Sequence, residues 1–249
     1  MKKILLASEH LDPRSAATGE AGRGVAFALT PGEGPCRNPK EQPNEDSLAV
    51  LSVPGGVAAI VADSHWGAFS GEALVRATAD AIEARPPATE RELAELLLDL
   101  DTSYRPGRPE EDRSETTLLV AIVQGTRAFW ASIADSHAYV VSSREVRRLN
   151  ADRPIFAGGP LPLKVFAERV GRDTVVDSSE LDLAPGELLV LASDGIGFED
   201  SALEPEEIAK ELASPGPLVE RVRRLVERAR RAPGGRDNIA LVALDPAGL

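Results

Sequence analysis

Residues 117–149 read TLLVAIVQGTRAFWASIADSHAYVVSSREVRRL. Apolar and β-branched runs alternate there with turn residues, as TLLVAIV (117–123), Gln124-Gly125-Thr126, RAFWASIA (127–134), HAYVVSS (137–143) and EVRRL (145–149). The pattern predicts four consecutive strands. Their connections are too short for anything but antiparallel pairing, because a parallel neighbour needs a crossover of a dozen or more residues.

The same signal recurs on both sides. GRGVAFAL (22–29), SLAVLSV (47–53) and GVAAIVA (56–62) read as strands, and Pro54-Gly55-Gly56 joins the last two as a hairpin. TVVDSS (174–179), ELLVLAS (187–193) and NIALVAL (238–244) add three more. Helical periodicity comes in two pairs. SGEALVRATADAIEAR (70–85) precedes TERELAELLLDLDTSY (89–104), where Leu93, Leu96, Leu97 and Leu100 repeat at helical spacing behind a Thr89/Glu92 capping box. EPEEIAKELA (204–213) precedes PLVERVRRLVERARRA (217–232), with Val222, Leu225, Val226 and Ala229 on one face. The arginines of that last helix are expected to be solvated and paired with Glu220 and Glu227. Helices segregated from antiparallel strands define an α+β fold, read here as two packed antiparallel sheets, a β-sandwich, flanked by pairs of antiparallel helices. Residues 150–173 show neither period and read as an irregular connection beside a site.

Length and composition set the outer bounds. A chain of 249 residues with 43% hydrophobic residues can bury a substantial core, and residues 1–249 are expected to form one domain. The longest apolar runs, LLVAIV and VAAIVA, fall well short of the roughly 20 residues of a membrane span. MKKILLAS lacks the apolar stretch and cleavage site of a secretory signal, so a cytoplasmic protein is expected. The single cysteine, Cys36, excludes a disulfide framework and a cysteine-based metal site. Forty acidic against 28 basic residues give a formal charge of −12, which argues against nucleic acid and anionic membrane as partners.

The acids carry the functional signal. Asp46 precedes one strand, Asp63 ends the next, Asp135 ends RAFWASIA, Asp194 follows ELLVLAS and Asp237 precedes NIALVAL. Any one of them is what a chain leaving a strand calls for. Five such acids on one rim of a sandwich would repel each other unless cations neutralised them. Carboxylates without a cysteine or histidine cluster favour hard cations, Mn²⁺ or Mg²⁺, over zinc.

Six motifs in order, NEDS (44–47), VADSHWGAFSGE (61–72), TT (116–117), IADSHAYVV (133–141), LLVLASDGIG (188–197) and RDNIALV (236–242), resemble the metal-dependent serine/threonine protein phosphatases of type 2C. The resemblance spans most of the chain. It implies a two-sheet sandwich with a two-metal centre at one end, a phosphorylated protein as substrate, and hydrolysis by a metal-activated water. By position it makes Asp63 the carboxylate bridging two ions, with Ser64 ligating through its backbone carbonyl. Asp194 and Asp237 would complete the other ion's ligands, Glu45 and Asp46 would support the site, and Asp135 would serve a weaker third ion. His65 matches a histidine proposed as the general acid for the departing seryl or threonyl oxygen, a role suited to an imidazole titrating near neutrality.

The chain departs from the family pattern at several points. Ser64 and Trp66 stand where glycines are usual, Ala134 replaces another glycine, and Trp66 is expected to pack under the following helix. Glu41 occupies the place of a phosphate-binding arginine, leaving Lys40 or Arg37 to supply that charge. Beyond Asp194, Glu199 or Asp200 would provide an acid for the third ion. Two alternatives remain open: a phosphatase-fold regulatory domain with weak or lost turnover, and a hydrolase using Ser64 or Ser136 as nucleophile, although neither serine lies in a nucleophile elbow.

Overall fold

The computed structural model describes residues 1–32, 40–107, 109, 111–150, 155–156, 164–165, 175–196, 203–232 and 237–249. Along the chain, β1 (Lys2–Leu5), β2 (Ala17–Glu20), β3 (Val25–Thr30), β4 (Ser47–Val53), β5 (Gly56–Ala62) and β6 (Ser64–His65) lead into α1 (Phe69–Ala84) and α2 (Glu90–Gly107). Next come β7 (Glu115–Thr116), β8 (Leu118–Gln124), β9 (Arg127–Ile133), β10 (His137–Val141), β11 (Val146–Arg148), β12 (Ile155–Phe156), β13 (Lys164–Val165), β14 (Asp177–Asp182) and β15 (Leu188–Ala192). The chain closes with α3 (Pro205–Leu212), α4 (Leu218–Arg231) and β16 (Ile239–Leu244).

Two six-stranded antiparallel sheets form the centre, in the orders β1-β4-β5-β8-β9-β14 and β11-β10-β15-β16-β3-β2. The α+β sandwich expected from the sequence is therefore what the chain forms. Period-2 alternation explains the layering, since successive side chains of a strand point to opposite faces. Leu48, Val50, Val57, Ala59 and Val61 face the second sheet and meet Leu189, Leu191, Val242 and Leu244. Their neighbours Ala49, Leu51, Ala58 and Ile60 face outward and are covered by Val75, Ala79, Ile82, Leu93 and Leu97 of α1 and α2. On the opposite side, Val190, Leu241 and Ala243 meet Ile208, Leu212, Val222 and Leu225 of α3 and α4. Strands covered on both faces read as near-continuous apolar runs, as β5 and β8 do.

The predicted four-strand meander breaks in the middle. β9 pairs with β8 and β14 in the first sheet, whereas β10 pairs with β11 and β15 in the second. A short connection does not have to make a hairpin here because Ala134 adopts φ 71°, a left-handed turn that swings the chain from one sheet to the other. Strands β1 and β2 were not anticipated, because KKIL and ATGE are too short to show alternation. The strand expected at 174–179 lies at 177–182 instead.

Caps follow the sequence closely. Thr89 Oγ1 accepts from the Glu92 amide at 3.2 Å, while the Glu92 carboxylate accepts from the Ala88 amide at 2.8 Å. The α4 arginines are paired as expected: Arg223 bonds Glu220 and Glu227, each at 2.7 Å, and Arg224 reaches Glu211 on α3 at 2.6 Å. Within 150–173, only Asn150 and the β12–β13 ladder lie among the described residues. Cys36, Arg37, Glu199 and Asp200 lie outside them.

Candidate active site

Both sheets deliver acids to the same end of the sandwich. Ser47 pairs with Ala62 in the β4–β5 ladder, so Asp46 and Asp63, the next residue on each strand, emerge side by side. In the other sheet, β15 ends at Ala192 against β16, which places Asp194 beside the chain entering at Asp237. Asp135 sits on the β9–β10 crossing between the two sheets.

Local hydrogen bonds hold these acids in place. The Asp63 amide donates to Thr117 Oγ1 at 2.9 Å, and its carbonyl accepts from the Thr117 amide at 2.9 Å and from Thr116 Oγ1 at 3.1 Å. Asn238 joins the sheets: its Oδ1 accepts from the Glu45 amide at 2.8 Å and its Nδ2 donates to the Pro43 carbonyl at 2.9 Å. Glu45 Oε1 in turn accepts from the amides of Glu41 at 2.9 Å and Gly67 at 2.8 Å, tying the loop before β4 to the turn after β6. Asn150 braces the β9–β10 crossing by accepting from the Ala138 amide at 2.9 Å and donating to the Ser136 carbonyl at 2.6 Å. The sequence motifs included Thr116, Thr117 and Asn238, but only the fold gives them roles as positioning residues. Asn150 had no signal of its own.

The electrostatics are unusual for a structural cluster. Asp46 and Asp63 are buried, and no hydrogen bond reaches Asp46 Oδ1, Asp63 Oδ1, Asp194 Oδ1 or Glu45 Oε2. Burial pushes Asp63 and Asp194 well above the usual carboxylate range, and neighbouring acids, Asp135 and Asp237 among them, push both further. Asp46 is raised to about 7, again chiefly by burial, with the charge of Lys40 opposing the rise.

Lys40 stands inside this cluster. Its Nζ lies 3.1 Å from Asp237 Oδ1 and 3.8 Å from Glu45 Oε2, with 8% of its side chain exposed. Burial alone would lower the ammonium's pKa, but Asp63, Asp237 and Asp46 outweigh it and hold the group protonated. Among the described residues, no three histidine or acidic side chains form a ready-made metal-binding group. The donor set nevertheless suits a hard cation, since four buried carboxylate oxygens from Glu45, Asp46, Asp63 and Asp194 lack any hydrogen-bond donor.

Three expectations change at VADSHWG. Ser64 is extended and buried, so no strain attaches to it, and its hydroxyl donates to Thr116 Oγ1 at 3.1 Å. That bond and the Thr117–Ser136 hydroxyl contact at 2.6 Å leave the serine-nucleophile alternative without support. Trp66 does adopt the left-handed region, φ 58°, and is 39% exposed. It does not pack under the helix; its ring stands edge-on to His65 with centroids 6.0 Å apart. His65 lies 3.6 Å from Asp63 through Nδ1, and burial, followed by the charge of Lys40, pushes its pKa down to about 3. Burial and Lys40 therefore keep the imidazole neutral in the metal-free chain, whereas the general-acid role implied by the resemblance calls for one titrating near neutrality.

Comparison with solved structures fits this geometry. The chain superposes on the serine/threonine phosphatase Stp1 from Staphylococcus aureus with a TM-score of 0.74, at 17% identity, covering 93% of this chain and 98% of that one. It matches the PPM Ser-Thr phosphatase MsPP from Mycobacterium smegmatis with a TM-score of 0.68 at 25% identity, covering 90% and 99% of the two chains. The serine/threonine phosphatase PstP from Mycobacterium tuberculosis gives 0.67 at 22% identity, covering 89% and 97%. No protein-family profile matches the sequence, and no curated protein does. The fold is that of the bacterial PPM, or type 2C, serine/threonine phosphatases.

Proposed function

We propose that this chain is a divalent-cation-dependent phosphatase acting on phosphoserine and phosphothreonine in proteins. The observation that carries the reading is the convergence, at one end of this fold, of buried carboxylate oxygens without donors on Glu45, Asp46, Asp63 and Asp194. Asp63, Asp194, Asp237 and the Ser64 carbonyl would hold two ions, with Glu45 and Asp46 in support and Asp135 serving a weaker third. When bound, such ions supply an activated water and neutralise phosphate oxygens. Oxygen donors alone favour Mn²⁺ or Mg²⁺.

The remaining chemistry belongs to the chain's own side chains. Thr116 and Thr117 fix the backbone at Asp63 from both sides, so its carboxylate enters the site at a set angle. Lys40, the cation that lies among the acids, would offer its charge to a phosphate oxygen, and Arg37 could supply a second. A neutral, buried His65, whose Nδ1 stands 3.6 Å from Asp63 and beyond hydrogen-bond reach of it, is poorly suited to donate a proton to the leaving group. Residues 1–249 would act as one such domain in the cytoplasm, on phosphoproteins rather than nucleic acid or membrane. Among the described residues no helix is long and apolar enough to cross a membrane. The alternative of a regulatory domain with weak turnover draws on Glu41, a carboxylate where a phosphate-binding guanidinium is expected.

The test is hydrolysis of a phosphothreonine peptide and of para-nitrophenyl phosphate with added Mn²⁺ or Mg²⁺. Turnover that requires the ion is expected. Full activity after exhaustive chelation would exclude the reading, and ion binding without turnover would favour the regulatory one.

A further inference from the structure

We propose that Lys40 is a built-in counter-cation of the acidic centre, holding the acids together in the metal-free chain and being displaced when a divalent ion enters. Cation binding is then an exchange of one positive group for another. The proposal rests on the functional reading above, in that the ion it displaces for is the one the acids would hold.

Three observations carry it. The first is place: Nζ contacts Asp237 at 3.1 Å and Glu45 at 3.8 Å, residues from the opposite sheets, so one ammonium bridges the two walls of the site. The second is reach. Only 8% of the Lys40 side chain is exposed and its ammonium meets acids of both walls, so its charge is enclosed with the cluster and shared rather than spent in one ion pair. The third is imbalance. Among the described residues one positive charge faces at least four acids, and each of Glu45, Asp46, Asp63 and Asp194 has an oxygen that no hydrogen bond reaches. A single ammonium cannot satisfy them, whereas a dication can ligate several at once.

An ammonium and a dication cannot share this enclosure without strong repulsion, because charges a few ångströms apart interact with little screening away from bulk water. Either Lys40 moves or the ion binds weakly. Both outcomes make Lys40 a residue that sets metal affinity, and a residue that only contacts phosphate would do neither. Lysine suits this use: its flexible four-carbon stem lets the charged head swing while the backbone stays in place.

The experiment uses the full chain as wild type, Lys40→Met and Lys40→Arg, without phosphate or substrate. Mn²⁺ affinity is measured by calorimetry and thermal unfolding is followed in chelator and in excess Mn²⁺. Lys40→Met should unfold at least about 3 °C lower in chelator, since the acids lose their counter-charge, yet bind Mn²⁺ roughly tenfold tighter. Lys40→Arg should restore the unfolding temperature in chelator and return Mn²⁺ affinity toward that of wild type. Lys40→Met binding Mn²⁺ no more tightly than wild type would overturn the proposal, as would an unchanged or raised unfolding temperature in chelator. Should Lys40→Met fail to fold, acetic anhydride labelling of wild-type Lys40 decides: modification should be slow in chelator and faster with Mn²⁺, and an equal or slower rate with Mn²⁺ would overturn it. Failure of wild type to bind Mn²⁺ or Mg²⁺ would remove the functional reading and this proposal together. Normal wild-type binding with no change in Lys40→Met removes the proposal alone.

Discussion

Between the sheets, Val61, Leu119, Leu191 and Val242 are fully enclosed and belong to one apolar cluster. Two or three residues farther along the same strands, Asp63 and Asp194 hold carboxylate oxygens just as enclosed, but with no donor to meet them. The middle of the sandwich is arranged for stability. Its acidic end is not, because enclosed carboxylate oxygens without donors oppose folding, and such conflict marks sites that await a ligand. The difference also assigns opposite signs to mutations only a few residues apart.

The largest expected effects test that assignment directly. Asp63→Asn and Asp194→Asn should each lower cation-dependent turnover by about 100-fold or more, as expected when the ion that activates water is lost or misplaced. In chelator the same variants should unfold at a higher temperature than wild type, because an amide does not repel its acidic neighbours. Leu191→Ala should do the reverse, losing roughly 2–5 kcal/mol of stability through the cavity it leaves. If Asp63→Asn destabilises the metal-free chain as Leu191→Ala does, the acids are structural and the contrast fails.

His65 belongs to the acidic end yet is uncharged there, so the next effect is smaller. His65→Gln should slow turnover about tenfold, and equally on a phosphothreonine peptide and on para-nitrophenyl phosphate, because a buried neutral imidazole does not protonate the leaving group. A loss confined to the peptide, of roughly 100-fold, would restore the general-acid role that the sequence suggested.

Sequence and structure agree where chemistry is local. Strands β4 and β5 lie where their apolar runs put them, and Asp46 and Asp63 were visible as strand-end acids because a strand's end is itself a sequence signal. The β9–β10 crossing was not visible, since a left-handed Ala134 is a tertiary outcome: Asn150, from beyond β11, holds Ser136 and Ala138 in place. Lys40 was read as a phosphate ligand because it lies one position from the expected arginine. Its insertion among Asp237, Glu45 and Asp63 depends on residues nearly 200 positions apart and has no local signature. The depressed pKa of His65 is of the same kind, set by enclosure and by Lys40.

Ala134 and Ser64 both stand where glycine is usual in the resembling family, and the structure separates them. Ala134 has φ 71° and is strained as a non-glycine residue, whereas Ser64 is extended and is not. Ala134→Gly should stabilise the chain by ~0.5–1 kcal/mol, the strain relieved less the added freedom of the unfolded chain, readable as a rise of a few degrees in unfolding temperature. A fall instead would mean that the turn between the sheets is held by the alanine methyl rather than merely tolerated.

The smallest effects lie at Ser64, and they tell the backbone's role from the side chain's. A Cβ on Gly71 of α1 would meet Ser64 Oγ at 2.1 Å, so the helix can approach the site only because residue 71 lacks one. Ser64→Gly and Ser64→Ala keep the carbonyl that would face a cation and lose only the bond to Thr116, worth about 1 kcal/mol. Turnover should stay within about tenfold in both, and loss of all hydrolysis with Mn²⁺ still bound would make the hydroxyl chemical after all. Gly71→Ala should destabilise the wild-type chain, and the same change should be milder in Ser64→Gly, where the clashing oxygen is gone. A coupling of at least about 0.5 kcal/mol between the two positions is expected from a double-mutant cycle, as for residues in contact. Additive effects would show that Ser64 Oγ simply rotates away, and that the close fit of α1 against the site rests on Thr116 Oγ1, 3.2 Å from the same Cβ.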